Sequence, residues 1–283
     1  MKRACVIGWP VEHSRSPLIH RYWLKQYGID GAYGKEAVPQ GEAENFLRGL
    51  AERDYVGANV TLPHKLAALQ AADVADEAAY AIGAANTVWL DSQGRLNATN
   101  TDAAGFMANL NEQAPQWNAA KLPVLVIGAG GAARAILYAL LEAGAAKILL
   151  TNRTGERATA LADYFGPMSV VPSWVEVVDW KERGRAVGEC GLIVNATSLG
   201  MTGEKPLELD LTKLREDAVV ADIVYAPLVT PLLAAARNRG RATVDGLGML
   251  LHQAVPGFER WFGVRPEVTP ELRSHVAASL GAG

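Results

Sequence analysis

Short apolar runs of β type alternate with helical stretches along nearly the whole chain, a rhythm that predicts parallel sheets covered by helices. Ala4-Cys5-Val6-Ile7 reads as a first strand. A helix then opens at Ser16-Pro17 and closes at Gly28, with a capping serine, a proline at the first helical position and a glycine past the end. Gly57–Val60 reads as a strand, Pro63 as a helix start, and Asp91-Ser92-Gln93-Gly94 as the turn of a hairpin. The second half is cleaner. Val124–Ile127 is uninterruptedly apolar, the pattern of a strand buried on both faces. A glycine cluster follows, then a helix to about Ala143 that Gly144 terminates. Residues 148–150, 192–194, 219–221 and 242–244 read as further strands of the same sheet, and Thr230-Pro231 opens a capped helix ended by Gly240. A domain boundary is expected between Thr101 and Pro123, where Pro115 interrupts a polar stretch. Pro256 falls where a helix interior is expected, which predicts a kink or break just after Gln253.

Composition narrows the classes. A chain of 283 residues suggests two domains at about 150 residues each. Hydrophobic residues at 49% and charged residues at 20% exclude disorder as a description of the whole. Lysine plus arginine number 27 against 30 acidic residues, a net charge of −3 that offers no basic surface for a nucleic-acid backbone. Two cysteines, Cys5 and Cys190, with five scattered histidines make neither a disulfide framework nor a metal site, and favour a reducing compartment. The most apolar region, 122–150, is broken by Arg134, Glu142 and Lys147, and the N-terminal apolar run stops at Trp9-Pro10. Neither a membrane span nor a targeting segment is expected, so the reading is a soluble cytoplasmic protein.

Gly128-Ala129-Gly130-Gly131-Ala132-Ala133 follows a strand and opens a helix, the context in which G-x-G-x-x-A binds a dinucleotide. The first glycine permits the tight turn, the second lets backbone approach a pyrophosphate, and free N–H groups at the helix start face the phosphates. A glycine-rich turn in a non-binding α/β fold is the alternative. At the end of the next strand an NAD site would present an acidic residue; here Asn152, Arg153 and Thr154 stand there, with Arg157 following. Two guanidiniums suit a 2′-phosphate and point to NADP, unless they are a solvated helix start paired with Glu156.

Three further segments carry polar chemistry. Ser14 and Ser16 stand at a helix entrance able to receive a carboxylate or phosphate, although Ser16 would equally serve as a plain N-cap. In Asn59-Val60-Thr61-Leu62-Pro63-His64-Lys65, a lysine sits in the first helical turn, where the helix dipole disfavours an ammonium and suits acid/base work. Exposed lysines are common, and this fragment alone decides nothing. Asn86-Thr87 and Asn100-Thr101-Asp102 add amides, hydroxyls and a carboxylate, Asp102 being either a helix cap or the anionic partner of Lys65.

Together these residues resemble the shikimate dehydrogenase family. The resemblance runs through Ser-x-Ser-Pro at 14–17, Asn-Val-Thr-x-Pro-x-Lys at 59–65, Asn-Thr at 86–87 and Asn-Thr-Asp at 100–102. It continues with the glycine loop at 128–133, Asn-Arg-Thr at 152–154, Asn-Ala-Thr-Ser-x-Gly-Met at 195–201, Asp-x-x-Tyr-x-Pro at 222–227 and Asp245-Gly246 through Gln253-Ala254. Two positions depart from the family pattern: Arg21 stands where asparagine is frequent, and Ala85 replaces the usual valine.

The resemblance implies an α/β protein of two domains with the active site in the cleft between them. Residues 1–105 plus 246–283 would form a discontinuous substrate domain with a mostly parallel sheet, and residues 106–245 a Rossmann-type NADP-binding domain. Ser14 and Ser16 would hold a substrate carboxylate with Tyr225; Thr61, Asn86, Asp102 and Gln253 would contact ring hydroxyls; Lys65, with Asp102, would be catalytic. Gly128, Ala129, Gly130, Gly131 and Ala132 would take the pyrophosphate, and Asn152, Arg153, Thr154 and Arg157 the adenosine phosphate. Ile223 and Gly246 would lie along the nicotinamide. The implied reaction is reversible NADPH-dependent reduction of 3-dehydroshikimate to shikimate, in the pathway to chorismate and the aromatic amino acids, without a metal, and a homodimer is the assembly it suggests. The rivals are a quinate/shikimate dehydrogenase using NAD and a catalytically silent NADP-binding regulator.

Overall fold

A computed structural model describes residues 1–166 and 174–280. The chain divides into two compact units, each with its own sheet: one of 1–105 with Leu250–Val276, the other of Phe106–Met249 with the described residues that follow Val276. Residues 246–249 and the described residues after 276, which the sequence reading placed with the first domain, cluster with the second unit.

The first unit opens with β1 (Lys2–Gly8), whose apolar centre is fully buried, and α1 (Ser16–Gln26). Arg15, not Ser16, is the N-cap, and it makes no side-chain cap; Ser16 and Pro17 are the first two helical residues. Thus Ser16 is not occupied in capping, contrary to one of the two expectations. Then come β2 (Gly31–Ala37), α2 (Ala43–Arg48), β3 (Gly57–Val60), α3 (Lys65–Ala71), β4 (Val74–Ala75), α4 (Glu77–Ile82), β5 (Thr87–Leu90) and β6 (Leu96–Thr99). The helix expected from Pro63 begins at Lys65, with His64 as its N-cap. Strand order is β2-β1-β3-β5-β6-β4. The sheet is mixed: β1 pairs in parallel with β2 and β3, and β4 with β6, while β5 runs antiparallel to β3 and β6 through the hairpin at 91–94. Ile7, Leu47, Leu50, Val60 and Val88 fill the core on one face.

From α5 (Asp102–Gln113) the chain enters the second unit: β7 (Val124–Ile127), α6 (Gly131–Glu142), β8 (Lys147–Thr151), α7 (Gly155–Phe165), β9 (Trp174–Val177), the short α8 (Arg183–Ala186), β10 (Leu192–Asn195), β11 (Val219–Asp222), α9 (Pro231–Arg237) and β12 (Ala242–Val244). Every pairing is parallel, in the order β12-β11-β10-β7-β8-β9. This is the doubly wound arrangement in which the order reverses beside β7, so the loop after β7 opens at the topological switch point. Full burial of β7, β10 and β11 explains why their sequences are continuous apolar runs.

Helix α10 (Gly246–Phe262) carries Pro256 in its interior and continues through it, so of the kink or break expected after Gln253 the break does not occur. Proline removes one intrahelical hydrogen bond, but Ala254, Val255, Phe258 and Trp261 on the same helix are buried, and that packing holds it together. The chain ends in α11 (Pro270–Ala278). Among the described residues, no helix is long and apolar enough to cross a membrane.

Candidate active site

In the first unit, four separate stretches of sequence meet around one carboxylate. Lys65, the first residue of α3, places Nζ 2.5 Å from Oδ2 of Asp102, the first residue of α5. The Asp102 side chain is 7% exposed and that of Lys65 20%, so the pair is screened from bulk water while the ammonium keeps an opening to it. Asn86 Nδ2 donates to the other oxygen, Asp102 Oδ1, at 2.8 Å, and also reaches Gln253 Oε1 at 3.0 Å. The orientation of that amide is decided by its other end: Asn86 Oδ1 accepts from the backbone N–H of Thr101 at 2.8 Å, which only an oxygen can do. Asp102 therefore faces two donors, and its place at a helix N-terminus adds a favourable field for the carboxylate.

Gln253 is fixed at two points, since its backbone carbonyl accepts from Thr101 Oγ1 at 2.8 Å. Behind Asn86, Thr87 Oγ1 donates to Asn86 Oδ1 at 3.1 Å and accepts from Asn59 Nδ2 at 3.2 Å. Asn100 accepts from the backbone N–H of Asp102 at 3.0 Å and donates to the carbonyl of Ala84 at 2.9 Å, fixing the start of α5. Thr101, Asn59, Thr87 and Asn100 stand in the same short polar motifs without being expected as site residues; the density of amides and hydroxyls there was the available signal, and the structure buries all four. At the entrance to α1, Ser14 Oγ donates to Ser16 Oγ at 3.3 Å. Thr61 directly follows β3, its N–H donating to Ile7 O at 2.9 Å. Arg21, where the family often has asparagine, donates through Nε to the carbonyl of Tyr33 at 2.9 Å.

The second unit gathers the dinucleotide candidates. Gly128 follows β7 with φ +118°, a conformation that side chains rarely adopt, and a Cβ there would lie 2.9 Å from the carbonyl of Ala196. Its N–H is held by Thr151 O at 2.8 Å. Gly130 caps α6 without a side chain and Gly131 begins it; a Cβ on either would meet nothing within 4 Å, so the first turn of α6, with Ala129 and Ala132 beside it, presents open backbone N–H groups. These positions fit a diphosphate. At the end of β8, Asn152 Nδ2 donates to Thr154 O at 2.9 Å, Thr154 occupies the N-cap position of α7 without a side-chain capping bond, and Arg153 and Arg157 are exposed. Among the described residues, neither arginine is paired with Glu156 by its side chain, which leaves both guanidiniums available to a phosphate.

The 222–227 segment is tied at its first residue. Buried Asp222 accepts at Oδ1 from Asn195 Nδ2 and from the N–H of Val224, both at 3.0 Å, and at Oδ2 from Thr230 Oγ1 at 2.7 Å. Burial pushes its carboxyl up to about 6 against the lowering effect of these three donors. Half-buried Ile223 and Tyr225 are carried on this anchored stretch. Gly246 packs directly on it: a Cβ there would fall 2.2 Å from the carbonyl oxygen of Ile223. The described residues contain no cluster of metal-ligating side chains.

Three family models match the chain: the shikimate dehydrogenase substrate binding domain over residues 6–88, shikimate / quinate 5-dehydrogenase over 109–245, and the shikimate 5′-dehydrogenase C-terminal domain over 246–270. The chain is 55% identical over 282 residues to the shikimate dehydrogenase (NADP(+)) of Azorhizobium caulinodans, covering 100% of this chain and 98% of that protein. Among solved structures it superposes on quinate dehydrogenase from Corynebacterium glutamicum in complex with NAD at a TM-score of 0.90, with 32% identity and coverage of 98% and 99%. It superposes on shikimate 5-dehydrogenase from Thermus thermophilus in complex with NADP(H) and shikimate at 0.84, with 36% identity and coverage of 99% and 100%. The polar cluster around Asp102, the glycine loop after β7 and these matches along the whole length agree: the chain belongs to the shikimate dehydrogenase family.

Proposed function

We propose that this protein is an NADP-dependent shikimate dehydrogenase, reducing 3-dehydroshikimate reversibly to shikimate on the route to chorismate and the aromatic amino acids. The observation that carries the reading is Lys65 held at 2.5 Å by a buried carboxylate that Asn86 fixes from the other side. Ser14 and Ser16 take the substrate carboxylate with Tyr225, and Thr61, Asn86, Asp102 and Gln253 take ring hydroxyls. The cofactor, when bound, supplies the hydride that reaches the ring carbonyl carbon. Lys65 donates a proton to the carbonyl oxygen during reduction and recovers one from the hydroxyl during oxidation. Asp102 keeps the lysine side chain in a single place and balances its charge, so that little reorganisation is needed when the proton moves.

Gly128 to Ala132 are suited to hold the pyrophosphate, and Arg153 and Arg157, with Asn152 and Thr154, the 2′-phosphate. Ile223 and Gly246 border the nicotinamide. That neither arginine has an acidic partner among the described residues supports NADP over NAD, as do the close relatives named for NADP(+). Buried, unpaired Cys5 and Cys190 support a cytoplasmic location, and a homodimer is the assembly to be tested by sedimentation.

The test follows NADPH absorbance with shikimate and NADP, and repeats it with quinate and NAD. Turnover confined to the first pair supports the proposal; preference for the second assigns the protein to the quinate branch. Tight NADPH binding without turnover of either substrate makes it a silent regulator.

A further inference from the structure

We propose that Asp222 is a positioning residue for the nicotinamide half of the cofactor: its carboxylate holds the turn at Ile223 and Val224 against the end of β10 and the start of α9. The proposal rests on the function assigned above, in which Ile223 borders the nicotinamide.

Asp222 is the last residue of β11 and stands in register with Asn195, the last residue of β10. Both are buried. The hydrogen-bond directions here admit one arrangement. Asn195 Oδ1 accepts from the N–H of Thr197 at 3.1 Å, which only an oxygen can do, so Nδ2 is the atom that reaches Asp222 Oδ1 and the carbonyl of Leu199, both at 3.0 Å. Thr230 Oγ1 accepts from the N–H of Leu233 at 3.3 Å in the first turn of α9, and its own proton goes to Asp222 Oδ2 at 2.7 Å. The third donor is the N–H of Val224, 3.0 Å from Oδ1 and two residues along the chain, which makes an Asx turn. Ile223 N–H donates to the carbonyl of Asn195 at 3.1 Å. Both peptide N–H groups flanking Ile223 are therefore held.

An asparagine at 222 would spare the cost of a buried charge and still receive the two donors at Oδ1. What the carboxylate adds is a second acceptor oxygen, and with it one simultaneous grip on β10, the turn and α9. Burial and these three neutral donors are what act on its ionisation, and no charged neighbour among the described residues contributes. On its other side the turn has no room to move: a Cβ at Gly246 would lie 2.2 Å from Ile223 O and 2.7 Å from Val224 O. The loop after β10 keeps bonds of its own, Thr197 to Asn195 and Ala196 N–H to Ile127 O at 2.8 Å. Loss of the carboxylate thus reaches the turn and spares the glycine loop.

The experiment is run at about pH 8, where Asp222 is ionised. It measures kcat/KM for NADP at saturating shikimate and the inhibition constant of 2′-phospho-ADP-ribose, which keeps the pyrophosphate and the 2′-phosphate but lacks the nicotinamide. Asp222→Ala is expected to lower kcat/KM by about tenfold to a hundredfold, while the inhibition constant moves less than about twofold. Asp222→Asn, whose carbonyl oxygen still accepts from Asn195 and Val224, is expected to recover all but about threefold of that loss. Equal losses on cofactor and fragment, an unchanged kcat/KM, or an asparagine variant as impaired as the alanine variant would each overturn the proposal. If Asp222→Ala does not fold by circular dichroism, Asp222→Ser is read by the same criteria, since one hydroxyl cannot hold three donors; failure of both to fold overturns the proposal. Wild-type protein that does not turn over shikimate overturns the functional reading and this inference together, whereas normal wild-type turnover with indifferent variants overturns this inference alone.

Discussion

Replacing Lys65 by methionine separates what the lysine does for stability from what it does for chemistry. The substitution keeps the length of the side chain and deletes the charge, leaving Asp102 7% exposed with Asn86 as its remaining side-chain donor. Breaking a buried ion pair from one side costs about 3–5 kcal/mol, because the surviving ion has lost its solvent and its partner. Asp102 keeps a hydrogen bond at 2.8 Å and the N-terminus of α5, and water reaches the Lys65 side, so the lower end, about 3 kcal/mol, is expected. Adding Asp102→Leu removes the stranded carboxylate. Asn86 Nδ2 still has acceptors in Thr101 Oγ1 and Gln253 Oε1, each at 3.0 Å, so the double variant should return to within about 1 kcal/mol of wild type. Activity should not return. Loss of the proton donor lowers kcat about a thousandfold in the single variant, and the double variant stays as low. Urea denaturation gives the stabilities and NADPH absorbance the rates. A double variant as unstable as the sum of its parts, or a single variant with near-normal kcat, would refute the pairing or the acid/base role respectively.

Three more outcomes follow from the second unit. Arg153→Asp should weaken NADPH by tenfold or more, about the worth of a charge-assisted contact, and leave NADH nearly unchanged; equal loss of both, by fluorescence titration, would remove Arg153 from phosphate binding. Gly246→Ala drives a Cβ to 2.2 Å from the Ile223 carbonyl, and the backbone shift should cost about 1–3 kcal/mol in thermal or urea unfolding. Asp222, raised by burial from 3.8 to about 6, retains its proton in the folded state where the unfolded chain has lost it. Its contribution to stability therefore falls as pH rises from about 4 to 6 and is level above that, so the stability of Asp222→Asn relative to wild type should climb across that window. A difference independent of pH would contradict the raised carboxyl.

The parts of the site that lie in contiguous sequence were legible. An apolar strand, three glycines and a helix form one local unit, so 124–133 announces its own backbone conformation, and the same holds for the Asn152–Arg157 stretch after β8. Expectations failed where a local rule competed with packing. Ser16 looked like a cap because serine favours that position, yet Arg15 is the N-cap and the Ser16 hydroxyl accepts from Ser14 instead. Pro256 looked like a kink or a break, yet the helix runs on through it, because the buried apolar face of α10 outweighs the missing hydrogen bond. Strand β2, with two glycines and charged residues at its end, carries little apolar signal and is drawn into the sheet by its register with β1.

Residue order alone determined the alternation of strands and helices, the glycine turn after β7 and the inventory of polar groups that catalysis could use, because each depends on neighbours along the chain. Only the tertiary structure decided which of those groups meet. Sheet register sets Asn59 opposite Thr87, and Thr87 opposite Thr99, just before the turn that delivers Thr101 and Asp102. Helix α10 brings Gln253 to Asn86 across 167 positions of sequence. The burial that makes these hydrogen bonds obligatory comes from the assembled core, and no stretch of sequence read by itself contains it.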